Sequence, residues 1–218
     1  MLISRLKLLT GLKTATKVAF LGGVLAFSSY SLGDCGSVYD EKYGPYDYTD
    51  ERQRARMLGT VERRHFTEKV RSLNKGGETG SIMGDIGYTL RKFPNHYPAL
   101  MTLVKYSDYE TVKYDPFVQE KIDCFFVRAI EFKPSDHRVY HIYGIYLFGK
   151  EDYKASIENY RKALDIEDSA EVHYNIGLAY LKVGDIKSAE FHAAQAYKKG
   201  YPLSGLKNLL LDQKVSNE

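Results

Sequence analysis

The sequence predicts an all-α protein, an α-solenoid of about three to four helical hairpins with an extended N-terminal arm and a C-terminal capping helix. Three observations carry this expectation. From residue 60 onward apolar side chains recur at helical spacing, with prolines and glycines at the stops. In the last third, small residues recur at a fixed offset of 33. The residues before 60 follow neither pattern and read as a leader and an aromatic arm.

Taken in order, residues 1–17 carry Arg5, Lys7, Lys13 and Lys17 and no acid. An apolar stretch follows over 18–27, and then the small residues Ser28, Ser29, Ser31 and Gly33. Basic, apolar and small regions in that order are the layout of a secretory signal, with a cut after Ser31 or Gly33. The rival reading is a retained membrane anchor through residues 18–32. Both place the rest of the chain outside the cytoplasm, periplasmic or anchored and facing the periplasm, because the basic end stays inside. A lipoprotein signal fits poorly, since Asp34 precedes Cys35 where a small neutral residue is needed. The chain has 31 basic and 28 acidic residues, a net of +3. Residues 1–33 hold four of the basic residues and none of the acids, so the remainder carries 27 against 28. The basicity belongs to the leader, and no nucleic-acid partner is expected.

Two cysteines, Cys35 and Cys124, remain. In an oxidising compartment an even count favours a disulfide, with two unpaired buried thiols as the alternative. Closing a loop of that length is worth roughly 4–5 kcal/mol in the chain-entropy model. Residues 34–60 interleave Tyr39, Tyr43, Tyr46 and Tyr48 with acids and Gly44-Pro45, and read as an extended arm with a turn. The arm is expected to lie along a groove of the domain that follows, or to serve as a partner's epitope.

Residues 61–135 read as degenerate hairpins. Helices are predicted over 61–73, 80–92, 98–106 and 116–132, with stops at Gly76-Gly77, Pro94 and Pro134. The clear repeats lie in 136–212, ahead of a short tail over 213–218. Gly144 and Gly177 stand 33 apart, as do Ser156 and Ala189, and Ala163 and Ala196. Gly144 against Ser156 and Gly177 against Ala189 would be the points where paired helices touch. Bulky Tyr140, Tyr143, Leu147, Tyr160 and Leu164 would fill the space between hairpins. A single hairpin cannot cover its own apolar face, so each needs a neighbour.

These segments resemble the tetratricopeptide repeat. The first unit, 137–168, gives Tyr140, Tyr143-Gly144, Leu147, Ser156, Tyr160 and Ala163, with Asp168 in place of the family's Pro. The second, 170–201, gives His173, Ile176-Gly177, Tyr180, Ala189, Ala193 and Ala196, with Pro202 one place late. Ile122, Phe126, Ala129 and Pro134 match only the second half of a unit, and residues 201–211 look like the cap. The resemblance, to an exported bacterial member of the family, implies a binding groove along the first helix of each hairpin. By register that groove holds Arg138, His141, Ile145, Phe148, Tyr174, Asn175, Leu178 and Lys182. Asn175 stands where relatives that clamp a peptide carboxylate place an Asn, though the accompanying basic residues are matched only by Lys182.

No catalytic signature is present. Residues 76–81 are glycine-rich but lack the Lys of a phosphate-binding loop, and read as a flexible connection. His137 and His141 lie four apart on one helix face without a third ligand, so no metal and no cofactor are expected. The expected role is a scaffold for protein or peptide partners in the cell envelope. The rivals are an envelope hydrolase or thiol enzyme, pairing Cys35 or Cys124 with His65 or His96, and a self-associating structural protein.

Overall fold

A computed structural model describes residues 35–215 apart from 41, 75, 76 and 114. The signal or anchor expected over 1–33 therefore lies outside the described residues. Among those described, the chain is helical without strands. A continuous helical run opens with α1 (Glu51–Gln53), passes through a π-helical turn (Arg54–Leu58) and ends as α2 (Gly59–His65). Next come α3 (Glu68–Arg71), α4 (Ile82–Lys92), α5 (Tyr97–Ser107), α6 (Glu110–Lys113) and α7 (Pro116–Phe132). The repeat region supplies α8 (His137–Gly149), α9 (Tyr153–Ile166), α10 (Ala170–Lys182) and α11 (Ile186–Lys198), and α12 (Gly205–Val215) follows.

The largest differences from the expected boundaries fall at Glu51, Phe66 and Gly205, and the short α6 was not expected. Helix begins at Glu51 rather than after residue 60, because the Asp50 side chain accepts from the Arg52 and Gln53 amides and opens the run. The helix expected over 61–73 is broken at Phe66, which leaves the helical region (φ −138°, ψ 46°) to bury its ring. The capping helix begins at Gly205, not at 201, and runs four residues past Leu211.

The repeats are cut by their caps. Asp136, Asp152 and Asp185 each accept a backbone amide at the start of α8, α9 and α11. The two intra-hairpin turns need a left-handed residue 33 positions apart. Gly184 supplies it at φ 79°, and Glu151 adopts it at φ 63° despite its side chain.

Within the first hairpin the backbones touch where expected, for Ser156 Oγ donates to the Gly144 carbonyl at 2.8 Å. The space over Gly144 is filled by Tyr160, whose ring would overlap an added Cβ. Gly177 is covered by the cap, with Leu206 Cδ2 at 2.6 Å from the same construction and the Ala189 carbonyl at 3.5 Å. The second glycine is thus needed less for its own hairpin than for seating α12.

One helix joins two cores. Val139, Ile142 and Tyr146 of α8 pack with Leu100, Leu103, Phe126 and Ile86 toward the N-terminal side. Tyr140 of the same helix packs with Tyr160, Ile176 and Leu206 on the other. Because α8 is covered on both flanks it is apolar nearly all round.

The degenerate half-unit falls on α7, with α5 the longer helix before it. Phe126 and Ala129 stand 34 before Tyr160 and Ala163, but Val104 and Ile122 occupy the places of Gly144 and Ser156. Without small residues these helices stay farther apart. The connection through α6 also moves α5 out of register, so only the second half showed the repeat.

The arm is fastened at both ends. Cys35 and Cys124 form a disulfide, tying the arm to α7. Val38 is fully buried and Tyr39 meets Phe132. Further on, the Tyr46 amide donates to the Lys92 carbonyl (2.8 Å) and the Tyr48 amide to Asn95 Oδ1 (2.9 Å). Asp47 pairs with Lys133 at 2.6 Å. Burial works against the charge on Asp47, yet Lys133, Asn95 and Thr49 outweigh it and bring its carboxyl down to about 2. The arm therefore straps the α4–α5 and α7–α8 turns.

Gly144→Ala should drive a methyl into Tyr160 and destabilise the protein by about 1–3 kcal/mol, net of the helix propensity gained. Gly59→Ala, where the added Cβ meets nothing, should stabilise by roughly 0.5–1 kcal/mol. Urea-unfolding midpoints of the two variants report both signs.

Candidate interaction groove on α8 and α10

The residues assigned to the groove belong to the first helices of the two clear hairpins, which lie side by side. Arg138 and Lys182 are exposed at opposite ends, and Ile145, Phe148, Asn175 and Leu178 are half-buried between them. Arg138 lies over the Tyr97 ring, with its guanidinium carbon 5.2 Å from the centroid, and Phe148 meets Tyr153 edge-on. The face therefore presents an apolar strip bounded by two cations.

Two assigned residues stand elsewhere. Tyr174 is buried, its ring 4.5 Å from that of Tyr201, and its hydroxyl would sit 2.7 Å from a Cβ on Gly205. The segment leading to α12 covers it, because α12 stacks on α10 as the next first helix would. His141 is buried as well, and its Nε2 lies 2.8 Å from Asn175 Nδ2. Burial, helped by nearby His137 and Arg138, lowers His141 from the ordinary 6.5 to about 4. At neutral pH the ring is uncharged and accepts from the Asn175 amide. Asn175 is thus engaged across the two helices rather than standing free as a carboxylate clamp. His141 and Asn175 are 34 apart, one more than the repeat offset of 33, so each reaches across to a neighbouring position of the successive first helix.

The other sequence candidates are accounted for. His137 pairs with Glu167 at 3.1 Å, so the two histidines of α8 turn to different partners. Among the described residues no cluster of three His, Cys, Asp or Glu could hold a metal. Both cysteines are in the disulfide, which removes the thiol nucleophile proposed with His65 or His96. His96 instead accepts the Ala99 amide to open α5 and faces Glu62. Residues 77–81, expected to be flexible, are folded onto the buried carboxylate of Asp85 through the Glu78 and Thr79 amides and the Thr79 hydroxyl.

The polar cluster between α10 and α11 was not anticipated. His173 joins Asp168 at 2.8 Å through Nε2 and His192 at 2.8 Å through Nδ1, and Lys199 pairs with Asp168. Burial, with His173 beside it, lowers His192 to about 4. Asp168 stands where the repeat pattern has Pro, and here its carboxylate pairs with His173 and Lys199.

Residues 146–184, from the end of α8 to the end of α10, match the family model for the TPR repeat, the tetratricopeptide repeat. That segment is a tetratricopeptide repeat, and it covers well under half of the chain. The chain's fold is similar to the crystal structure of a thermophilic TPR protein from Thermus thermophilus, at 15% identity and a TM-score of 0.50, covering 75% of this chain and 77% of that one. No curated protein matches the sequence. TPR folds are in general scaffolds for binding other proteins rather than enzymes.

The histidines set a pH dependence. His141 and His192 bind protons more readily unfolded (ordinary value 6.5) than folded (about 4). Their neutral form therefore supports the fold fully above pH 6.5, and that support is lost as pH falls toward 4. The urea-unfolding midpoint should drop across this window, and His141→Gln should flatten the drop by up to about 1 kcal/mol per pH unit. An equally steep profile in the variant would assign the effect elsewhere.

Proposed function

We propose that this chain is an exported TPR scaffold that holds a protein or peptide segment against α8 and α10. The observation that carries the reading is the strip formed by Ile145, Phe148 and Leu178 between exposed Arg138 and Lys182. The arm, the obvious internal occupant, makes its hydrogen bonds and ring contacts on the α4–α5 and α7–α8 turns instead. An extended or helical segment with apolar anchors and acidic flanks would complement the strip, its ends meeting Arg138 and Lys182. Export is supported by the order of basic, apolar and small residues in 1–33 and by a disulfide suited to an oxidising compartment. Processing would leave the protein in the periplasm, and a retained 18–32 segment would anchor it there.

A second reading has one specific observation behind it. Leu203, Leu209, Leu211 and Val215 on and before α12 are exposed, as suits self-association through the cap.

Crosslinking in native envelopes followed by recovery of the protein separates these readings. Leu178→Glu with Lys182→Glu should abolish the crosslinked partner, whereas Phe191→Ala, on the exposed face of α11, should leave it in place. Loss of the partner only on changing Leu211 and Val215, with the product twice the mass of the chain, would favour self-association.

A further inference from the structure

A cavity of about 200 Å³ lies between α2, α4 and the arm, and no residue of α8 or α10 lines it. Its walls are aromatic, with Tyr43 and Tyr46 from the arm and Tyr88 from α4. Lys92 brackets the arm over it. The Lys92 carbonyl accepts from the Tyr46 amide at 2.8 Å, and its ammonium donates to the Tyr43 carbonyl at 2.9 Å. The cavity falls below the ~300–1,000 Å³ of drug-sized sites, so it takes one ring.

The polar groups at this cavity are of two kinds. Arg64 lines it, is exposed, and makes no ion pair among the described residues. Among the described residues no carboxylate lines the cavity, while Arg64 does, so the charge that complements Arg64 there is negative. His65 also lines it and stacks on Tyr88 with centroids 3.8 Å apart. Its Nδ1 lies 3.0 Å from Oδ1 of Asp85, which is fully buried. Asp85 is fixed in turn by the Glu78 amide (2.6 Å), the Thr79 amide (3.1 Å) and the Thr79 hydroxyl (2.6 Å). A buried carboxylate that accepts from Nδ1–H sets the imidazole tautomer and leaves Nε2 as an acceptor for a ligand's hydroxyl. The glycine-rich loop thus acts as a brace behind His65, and Gly77 has no room for a side chain because an added Cβ would lie 2.7 Å from Asp85.

We propose that this cavity binds a single-ring hydroxylated aromatic carboxylate. The ring packs against Tyr43 and Tyr46 beside the edge of Tyr88, the carboxylate meets Arg64, and the hydroxyl donates to His65 Nε2. The site is a small-molecule site, independent of the groove on α8 and α10.

Calorimetric titration of the disulfide-bonded full chain with 4-hydroxybenzoate, benzoate and 4-hydroxybenzamide tests each end of the ligand. Saturable binding of 4-hydroxybenzoate is expected, with the neutral amide roughly tenfold weaker. Arg64→Gln should weaken both acids, and His65→Gln should weaken only the hydroxylated one, leaving benzoate as it was. Because His65 also contacts Asp85, Arg64→Gln is the variant that decides should His65→Gln fail to fold. No saturable binding of either acid, equal affinity for acid and amide, or an Arg64→Gln variant that binds as tightly as the parent would overturn the proposal.

Discussion

At Gly144 the backbone of α8 comes near enough to α9 for the Ser156 hydroxyl to reach its carbonyl, and the Tyr160 ring fills the space a side chain would need. That approach sets the position of the whole second core, because Tyr160 is also the residue around which Tyr140, Ile157 and Ile176 gather. A hairpin so closed still leaves an apolar flank, and α10 covers it. Gly177 repeats the device one unit on, but there the occupant is Leu206 of α12. In the two clear repeats a glycine on the first helix makes room for an incoming side chain, Tyr160 of the same hairpin in one and Leu206 of the cap in the other.

The N-terminal half is held differently. Its helices α5 and α7 carry bulky Val104 and Ile122 in place of small contact residues and touch little, and polar fastenings take over. Asn95 donates to both Asp47 and Asp136, and Tyr97 donates its hydroxyl to Asp136, which also caps α8. The arm's Asp47–Lys133 pair and the disulfide complete a strap that joins the turn before α5 to the turn before α8. The start of the repeat region is thereby fixed by the arm, without the arm lying on the strip formed by Ile145, Phe148 and Leu178.

The repeats were legible because close helix contact demands small residues, and small residues at a constant offset leave a mark in the sequence. The disulfide was legible from cysteine parity, and the cap from an apolar segment following the last unit. The run from Glu51 was missed because tyrosines and Gly44-Pro45 dominate the arm's composition, while its start rests on a single capping residue, Asp50. Tyr174 was placed on the groove by register alone, since register does not show that the segment from Tyr201 to Gly205 folds back over it. His141 and Asn175 were both singled out, yet their contact depends on a spacing between successive repeats that neither motif contains. The loop over residues 77–81 read as slack because glycines were visible and their partner, Asp85, lay hidden inside the next helix.

The central claim is that the face of α8 and α10 is open to another protein. A photocrosslinking amino acid in place of Leu178, in the protein exported and disulfide-bonded in its own envelope, tests it most directly. An intermolecular adduct at that position, absent when the same group replaces exposed Phe191, is the result predicted. An intramolecular adduct to Tyr43, Tyr46 or Tyr48 as the sole product would contradict it, because the arm and not a partner would then occupy the groove.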